Sequence, residues 1–120
     1  MSTDETAARL TALTEQLNAL IVRAEEKFRA LGFGVRARVP IPETTSWLVF
    51  GKEGREWRLL VEQASGEIGA LASCSRETRI QGALCFHHMP AALRDAAAAE
   101  VVRIERVVAD VGVFVDELDQ

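Results

Sequence analysis

The sequence predicts an α+β fold with a long N-terminal helix, a three- or four-stranded antiparallel sheet, and two C-terminal helices packed on one face of that sheet. Apolar residues recur every three or four positions near both ends of the chain, which is typical of amphipathic helices, and they alternate in the middle, which is typical of half-buried strands. The length of 120 residues fits one domain spanning residues 1–120, and the 48% apolar content is enough for a core.

The N-terminal helix has a clear start signal. Ser2 and Glu5 have the spacing of a capping box, in which each side chain accepts a hydrogen bond from the other residue's backbone amide. One apolar stripe follows at spacings of mainly three and four residues. Its members are Leu10, Leu13, Leu17, Leu20, Ala24, Phe28 and Leu31. Gly32 can adopt the left-handed conformation that ends a helix, so the helix is predicted to stop there.

A change of the apolar period to two residues marks the sheet. Residues 35–39 alternate between small apolar side chains and arginines, and prolines at positions 40 and 42 end this strand because they lack an amide proton. Residues 47–51 and 56–62 are rich in aromatic and branched side chains and predict a β-hairpin. Residues 67–72 are the candidate fourth strand.

Two registers of the hairpin stay open from the sequence. A three-residue loop would set Val49 opposite Trp57 and bury Trp47. A two-residue loop at positions 53 and 54 would set Phe50 opposite Trp57, bury Leu48 and Phe50, and leave Trp47 outside. The second register is slightly favoured, because an exposed Phe50 has no polar edge to offer to water.

The C-terminal third predicts two helices. Ser73 or Ser75 can cap a helix that runs to about Met89, and Pro90 suits the first turn of the next one. The last helix carries the longest regular apolar stripe in the chain. Its members are Ala97, Val101, Ile104, Val108, Val111, Val115 and Leu118. Gly112 and the alternating residues around it leave a terminal strand as the weaker alternative.

Charge and cysteine usage narrow the functional class. The formal net charge is -4, which opposes non-specific binding to nucleic acid or to an anionic membrane. The first residues are acidic rather than apolar, and no stretch approaches the roughly 18 apolar residues of a membrane span. Cys74 and Cys85 are too few for a disulfide framework, so both are expected to be reduced thiols in a cytoplasmic protein.

Residues that could carry chemistry are sparse, and no catalytic residue or cofactor is predicted. Cys74, Cys85 and His88 fall near one face of the predicted second helix and are weak candidates for a metal site, since their spacing is unlike that of structural zinc ligands. His87 is expected at the edge of the core, beside apolar residues of the same helix. A small enzyme or metal-dependent binder centred on this helix is one alternative function.

A basic face of the sheet is the second binding candidate. Arginines on neighbouring strands, together with one tryptophan, would suit an acidic ligand or single-stranded nucleic acid. The candidate residues are Arg36, Arg38, Trp47, Arg55 and Arg58. Acidic residues close in sequence could neutralise this face by cross-strand pairing, and they are Glu43, Glu53, Glu56 and Glu62. A solvated surface of mixed charge is therefore the favoured interpretation, and nucleic acid is a disfavoured partner.

The favoured function is a non-enzymatic protein-interaction domain, adaptor- or chaperone-like, that acts as a homodimer. Both terminal helices are about 28 residues long, roughly 40 Å, whereas seven-residue strands reach only about 24 Å. Their apolar stripes therefore extend beyond the sheet and need another surface, either within the chain or on a second copy. The predicted interface residues are Leu13, Leu17, Val101, Ile104, Val108, Val111 and Val115. A protein or peptide is the second candidate partner.

Overall fold

The computed structural model of the protein describes residues 2–31 and 33–120 and has the predicted α+β order. Its helices and strands are α1 (Thr3–Ala30), β1 (Ala37–Pro40), β2 (Trp47–Glu53), β3 (Glu56–Glu62), β4 (Ile68–Ala70), α2 (Arg76–Ala83) and α3 (Met89–Leu118). The four strands form one antiparallel sheet in the order β1-β2-β3-β4, and the two C-terminal helices pack against it. The candidate fourth strand and the helical C-terminus are both confirmed.

The first turn of α1 forms as the sequence predicts. The Ser2 hydroxyl accepts a hydrogen bond from the Glu5 amide at 3.1 Å, and the Glu5 carboxylate accepts one from the Ser2 amide at 3.3 Å. This complete capping box satisfies backbone donors that the helix itself cannot pair. The helix ends at Ala30, and Gly32, which was predicted to terminate it, lies outside the described residues.

One face of the sheet carries the hydrophobic core. The sheet contributes Ala37, Val39, Leu48, Phe50, Leu59 and Val61. Helices and connecting turns cover them with Ile21, Phe28, Leu71, Cys85, Met89 and Leu93. The aromatic ring of Phe28 meets those of Phe50 and Phe86 edge-on, with centroids 5.9 and 6.3 Å away. All three helices therefore lie on the same side of the sheet, as predicted.

Both predicted hairpin registers are wrong, although the favoured assignment of faces is right. The turn consists of Gly54 and Arg55, with Gly54 at a φ of 62°, and Phe50 lies opposite Leu59 rather than Trp57. A two-residue difference keeps each side chain on its face, because side chains along a strand alternate with a period of two. Phe50 therefore faces the core, and the tryptophan that begins β2 faces away from it.

The second helix is shorter than predicted. The Ser75 hydroxyl caps α2 by accepting from the Thr78 amide at 3.2 Å, but the helix ends at Ala83, and a 3-10 turn at Phe86–His88 precedes α3. The predicted single helix to Met89 is wrong because α2 packs on α1 whereas α3 packs on β1. A change of direction is needed between them, and a continuous helix would prevent it.

The two long helices extend well beyond the sheet. They have 28 and 30 residues, which corresponds to about 42 and 45 Å. The molecule measures 82 × 29 × 24 Å, a length that neither helix reaches alone. The free N-terminal part of α1 and the free C-terminal part of α3 therefore project in opposite directions. No helix in the described ranges is both long and apolar enough to cross a membrane.

A buried carboxylate joins α1 to the edge of the sheet. Glu25 is 5% exposed, and its Oε1 accepts a hydrogen bond from the Leu59 amide at 3.2 Å. Arg58 Nε lies 3.9 Å from the same oxygen, and Arg29 Nη2 lies 3.9 Å from the other. Strand β4 pairs only with residues 60–62 of β3, so it does not extend to Leu59. The Glu25 carboxylate therefore accepts the hydrogen bond from the Leu59 amide in place of a neighbouring strand.

Replacing Glu25 with alanine is expected to lower the free energy of unfolding by about 1–3 kcal/mol, because the Leu59 amide loses its acceptor inside the protein. Glu25→Gln keeps an acceptor oxygen and should lose less. Urea unfolding followed by circular dichroism measures both. The control is Glu26→Ala on the exposed face of the same helix, with an expected change below about 0.5 kcal/mol. Equal losses in the two alanine variants would contradict the role of Glu25.

Candidate functional site

The most extensive exposed apolar surface in the described chain lies on the outer half of α3. Every residue from 101 to 120 is exposed, and the described core contains no side chain beyond Ala96. We call residues 101–118 the α3 arm. One face of this arm carries eight large apolar side chains that are each about half exposed. This α3 stripe consists of Val101, Ile104, Val107, Val108, Val111, Phe114, Val115 and Leu118.

The α3 stripe continues the face by which α3 packs on the sheet. Val107 follows Met89, and Val111 follows Leu93, by eighteen residues, which is five full helical turns. Met89 and Leu93 are 0% and 1% exposed, whereas Val111 is 50% exposed. The same side of the helix is therefore buried at one end and bare at the other, because the sheet covers only the first turns.

The α3 arm has poor intrinsic helix propensity. Eight of its eighteen residues are β-branched, and Gly112 lies near its centre. At about 0.5 kcal/mol for each branched residue and about 1 kcal/mol for glycine, the cost is roughly 5 kcal/mol relative to alanine. Arg103 Nη1 pairs with Glu100 Oε1 at 3.1 Å, but such an exposed pair contributes less than about 1 kcal/mol. A helix here depends on packing against something else.

Helix α1 offers a smaller apolar surface. Leu13, a predicted interface residue, is 44% exposed, whereas Leu17 is partly buried against the core of its own chain. A groove of about 350 Å³ lies between α1 and the turn after α2. Its lining residues are Leu17, Leu20, Arg23, Ala24, Lys27, Ala83 and Phe86. This groove is shallow and apolar, with two basic residues at its border.

The structure brings Arg36, Arg38 and Trp47 of the predicted basic face together and pairs both arginines with one carboxylate. Arg36 and Arg38 both reach Glu62, with Nη2···Oε2 at 2.8 Å and Nη1···Oε1 at 3.5 Å. The guanidinium carbon of Arg38 also lies 4.0 Å from the ring centroid of Trp47, a cation–π contact. Both arginines thus pair with the Glu62 carboxylate, and Arg38 also stacks on Trp47. Glu62 is one of the acidic residues that the sequence suggested for this pairing.

The other two predicted arginines lie away from this cluster. Arg58 Nη1 bonds Glu53 Oε1 at 2.9 Å, and Arg55 is exposed in the hairpin turn. On the outer face of the sheet, Val49 and Leu60 are 0% and 4% exposed, and Trp47 packs against the cluster that they form. Long side chains can cover apolar surface while keeping their charges in water. This face is therefore a packed surface of mixed charge.

Cys85 and His88 line one pocket, but Cys74 does not complete a three-ligand group with them in the described residues. The thiols of Cys74 and Cys85 each donate to the carbonyl four residues earlier, at 3.4 Å, and His88 is exposed. Within residues 2–31 and 33–120, no three His, Cys, Asp or Glu side chains are placed to hold a metal ion. The expectation that His87 lies at the core edge is wrong, because the turn after α2 exposes it beside His88, with ring centroids 3.9 Å apart.

The chain matches no family model, no characterised protein and no solved structure. A functional assignment therefore depends on the surfaces of the chain itself. Among those described above, the α3 stripe is the largest apolar surface, and its helix also has low intrinsic propensity. These two properties make the α3 stripe the candidate functional site.

Burial raises the pKa of both thiols, and for Cys74 the nearby Arg79 partly opposes this effect. Because the thiolate is the reactive form, alkylation of the native protein by iodoacetamide at pH 8 should be slower than in urea and should accelerate as the pH rises. A Cys85→Ser variant isolates the reaction of Cys74. Equal rates in native and unfolded protein would show that the thiols are not shielded.

The pairing of Arg36 and Arg38 with Glu62 predicts no saturable binding of a labelled single-stranded oligonucleotide, even at low salt where such binding is strongest. Fluorescence anisotropy measures this, and Glu62→Gln, which frees both guanidinium groups, is the matched comparison. Salt-sensitive binding by the unmodified protein that disappears in an Arg36→Ala/Arg38→Ala variant would contradict the interpretation that Glu62 occupies both arginines.

Proposed function

We propose that this protein is a non-enzymatic interaction module, adaptor- or chaperone-like, that acts as a homodimer through the α3 stripe. The observation that supports the proposal is the bare apolar face of the α3 arm. Its eight side chains expose on the order of 800 Å², which is above the largest patch of a typical monomer and close to what each partner buries in a standard interface.

The pattern of the stripe favours a second copy of the same helix as its partner. Apolar residues at alternating spacings of three and four form the seam by which two identical helices pack in a coiled coil. Such a pair would cover the stripe on both copies at once, since a twofold interface uses the same patch twice. It would also supply the packing that offsets the low helix propensity of the arm.

The self-association is assigned mainly to α3 rather than equally to both long helices. Leu17 already packs within its own chain, and Leu13 belongs to a shorter exposed segment. Dimerisation on α3 leaves the groove between α1 and α2 available for a protein or peptide partner, which is the adaptor half of the proposal. The free thiols of Cys74 and Cys85 suit the reducing cytoplasm, where we place the protein.

The homodimer predicts a mass twice the 13.2 kDa of one chain in light scattering coupled to size-exclusion chromatography. Val111→Glu places a charge in the stripe and should weaken dimerisation by more than about 100-fold, because the carboxylate would have to be buried. Val113→Glu is the matched control. Val113 is also a half-exposed valine of the arm, but it lies on the opposite face of the helix.

Three results bear on this proposal. A dimer that Val111→Glu dissociates and Val113→Glu preserves supports it. A monomeric mass for the unmodified protein at micromolar concentration overturns it. A dimer that neither variant affects overturns the assignment to the α3 stripe, since both variants fold through the same core and differ only in the face of the arm that they alter.

A further inference from the structure

We propose that the two copies pair their α3 arms antiparallel, with the twofold axis passing beside Ala109 and Asp110. This inference rests on the proposed homodimer and adds the orientation and register of the contact. It follows from the position of the sheet on α3, the spacing within the α3 stripe, and the distribution of charge along the arm.

The position of the sheet excludes a parallel pair. The α3 stripe lies on the same side of the helix as Met89 and Leu93, which pack on the sheet of their own chain. In a parallel pair, both sheets would lie at the same end and between the two helices, so they would compete for one space. In an antiparallel pair, the sheets lie at opposite ends, and each arm meets the partner's arm beyond the sheet.

The spacing within the stripe fits this axis. Six residues form the central row of the stripe, and they are Val101, Ile104, Val108, Val111, Val115 and Leu118. They follow each other at spacings of 3, 4, 3, 4 and 3 residues, and this order is the same in both directions along the helix. With the axis beside Ala109 and Asp110, Val101 lies opposite the partner's Leu118. By the same symmetry Ile104 lies opposite the partner's Val115, and Val108 lies opposite the partner's Val111. Every central stripe residue thus meets another stripe residue.

The outer stripe residues agree with the same register. Val107 and Phe114 widen the stripe on one side only, and an antiparallel twofold pair places the corresponding sides of the two helices together. Val107 therefore meets the partner's Phe114 beside the seam. A simple coiled coil has two apolar positions in each heptad, and Val107 and Phe114 add a third position on this side of the contact. All eight residues of the stripe therefore lie in the interface.

Charge along the arm is also complementary in this orientation. Residues 101–109 carry Arg103, Glu105 and Arg106, for a net charge of +1, whereas residues 110–118 carry Asp110, Asp116 and Glu117, for a net charge of -3. Arg103 and Glu117 are fourteen residues apart, so they lie only about 40° apart around the helix. In the antiparallel register Arg103 lies opposite the partner's Glu117 at two equivalent sites, and one pair of like charges, Asp110 and the partner's Asp110, lies near the axis. In a parallel pair every charged residue would lie opposite the same residue of the partner, so all the pairs would have like charges.

The exposed pair of Arg103 with Glu100 does not compete strongly with this contact. The Arg103 side chain is 76% exposed, and such surface pairs form and break readily. Arg103 can therefore turn toward the partner's Glu117 when the arms meet. Two equivalent contacts form in each dimer because of the twofold symmetry.

The arrangement has a consequence for binding. Two antiparallel arms of about 27 Å hold the two sheets, and with them the two grooves between α1 and α2, at opposite ends of a rod. A single partner chain with two binding segments could engage both grooves at once. Such bivalent contact raises the overall affinity without a new interface on either copy.

Distances between spin labels test the orientation. Single cysteines replace Ala109 or Asp119 in a background of Cys74→Ser and Cys85→Ala, and double electron–electron resonance measures the distance between the two copies. The antiparallel pair predicts about 20 Å for position 109 and about 30–35 Å for position 119, because that residue lies opposite the partner's residue 100. Circular dichroism and the dimer mass verify that each labelled variant is folded and paired.

The outcomes separate this inference from the proposed function. About 20 Å at both positions means a parallel dimer, which overturns the orientation and keeps the homodimer. Distances beyond about 45 Å at both positions mean a dimer formed elsewhere, which overturns the inference and the assignment to α3. The absence of any distance between copies, with a monomeric mass, overturns the proposed function itself.

Reversal of charges provides an independent test of the register. Arg103→Glu and Glu117→Arg should each raise the dissociation constant about three- to tenfold, because each sets two like charges opposite each other at two equivalent sites. The double variant restores an opposite-charge pair across the antiparallel interface and should return to within about twofold of the unmodified protein. Additive weakening in the double variant would overturn the register.

Discussion

The mismatch in length between the helices and the sheet is the constraint on which the rest of the structure depends. The inner face of the sheet is covered by a few turns of each long helix, around Ile21 and Phe28 of α1 and around Met89 and Leu93 of α3. Seven-residue strands offer about 24 Å of surface, and helices of 42 and 45 Å cannot be covered by it. The elongated shape and the bare α3 stripe both follow from this difference.

The outer face and the edge of the sheet are covered by side chains of the same chain, in contrast to the α3 arm. On the outer face, Trp47 packs against the cluster that contains the buried Val49, Arg38 stacks on Trp47, and Arg36 and Arg38 both pair with Glu62. At the edge, α1 supplies a carboxylate to an unpaired amide of β3. These contacts satisfy polar groups and cover apolar side chains without a second molecule. The α3 stripe has no such cover within the described residues, and covering it is the role that we propose for a second copy.

Much of the fold could be predicted from local patterns. The capping box at Ser2, the alternation of β1 and the proline in the first turn of α3 act between neighbours in sequence, so they appear in the sequence directly. The face of Phe50 was also predictable, since strand parity is insensitive to a shift of two residues. The extent of α2 was not predictable, because its end depends on which elements α2 and α3 each pack against.

The sequence by itself determined the element order, the faces of the strands and the presence of a long apolar stripe near the C-terminus, because these depend on the period of apolar residues and on local capping. The tertiary structure alone decided which part of that stripe is buried, that Arg36 and Arg38 share Glu62, and that Cys74, Cys85 and His88 do not form a three-ligand metal group within the described residues. The physical reason is that burial and charge pairing depend on distances between segments remote in sequence, and these distances exist only after the helices have packed on the sheet.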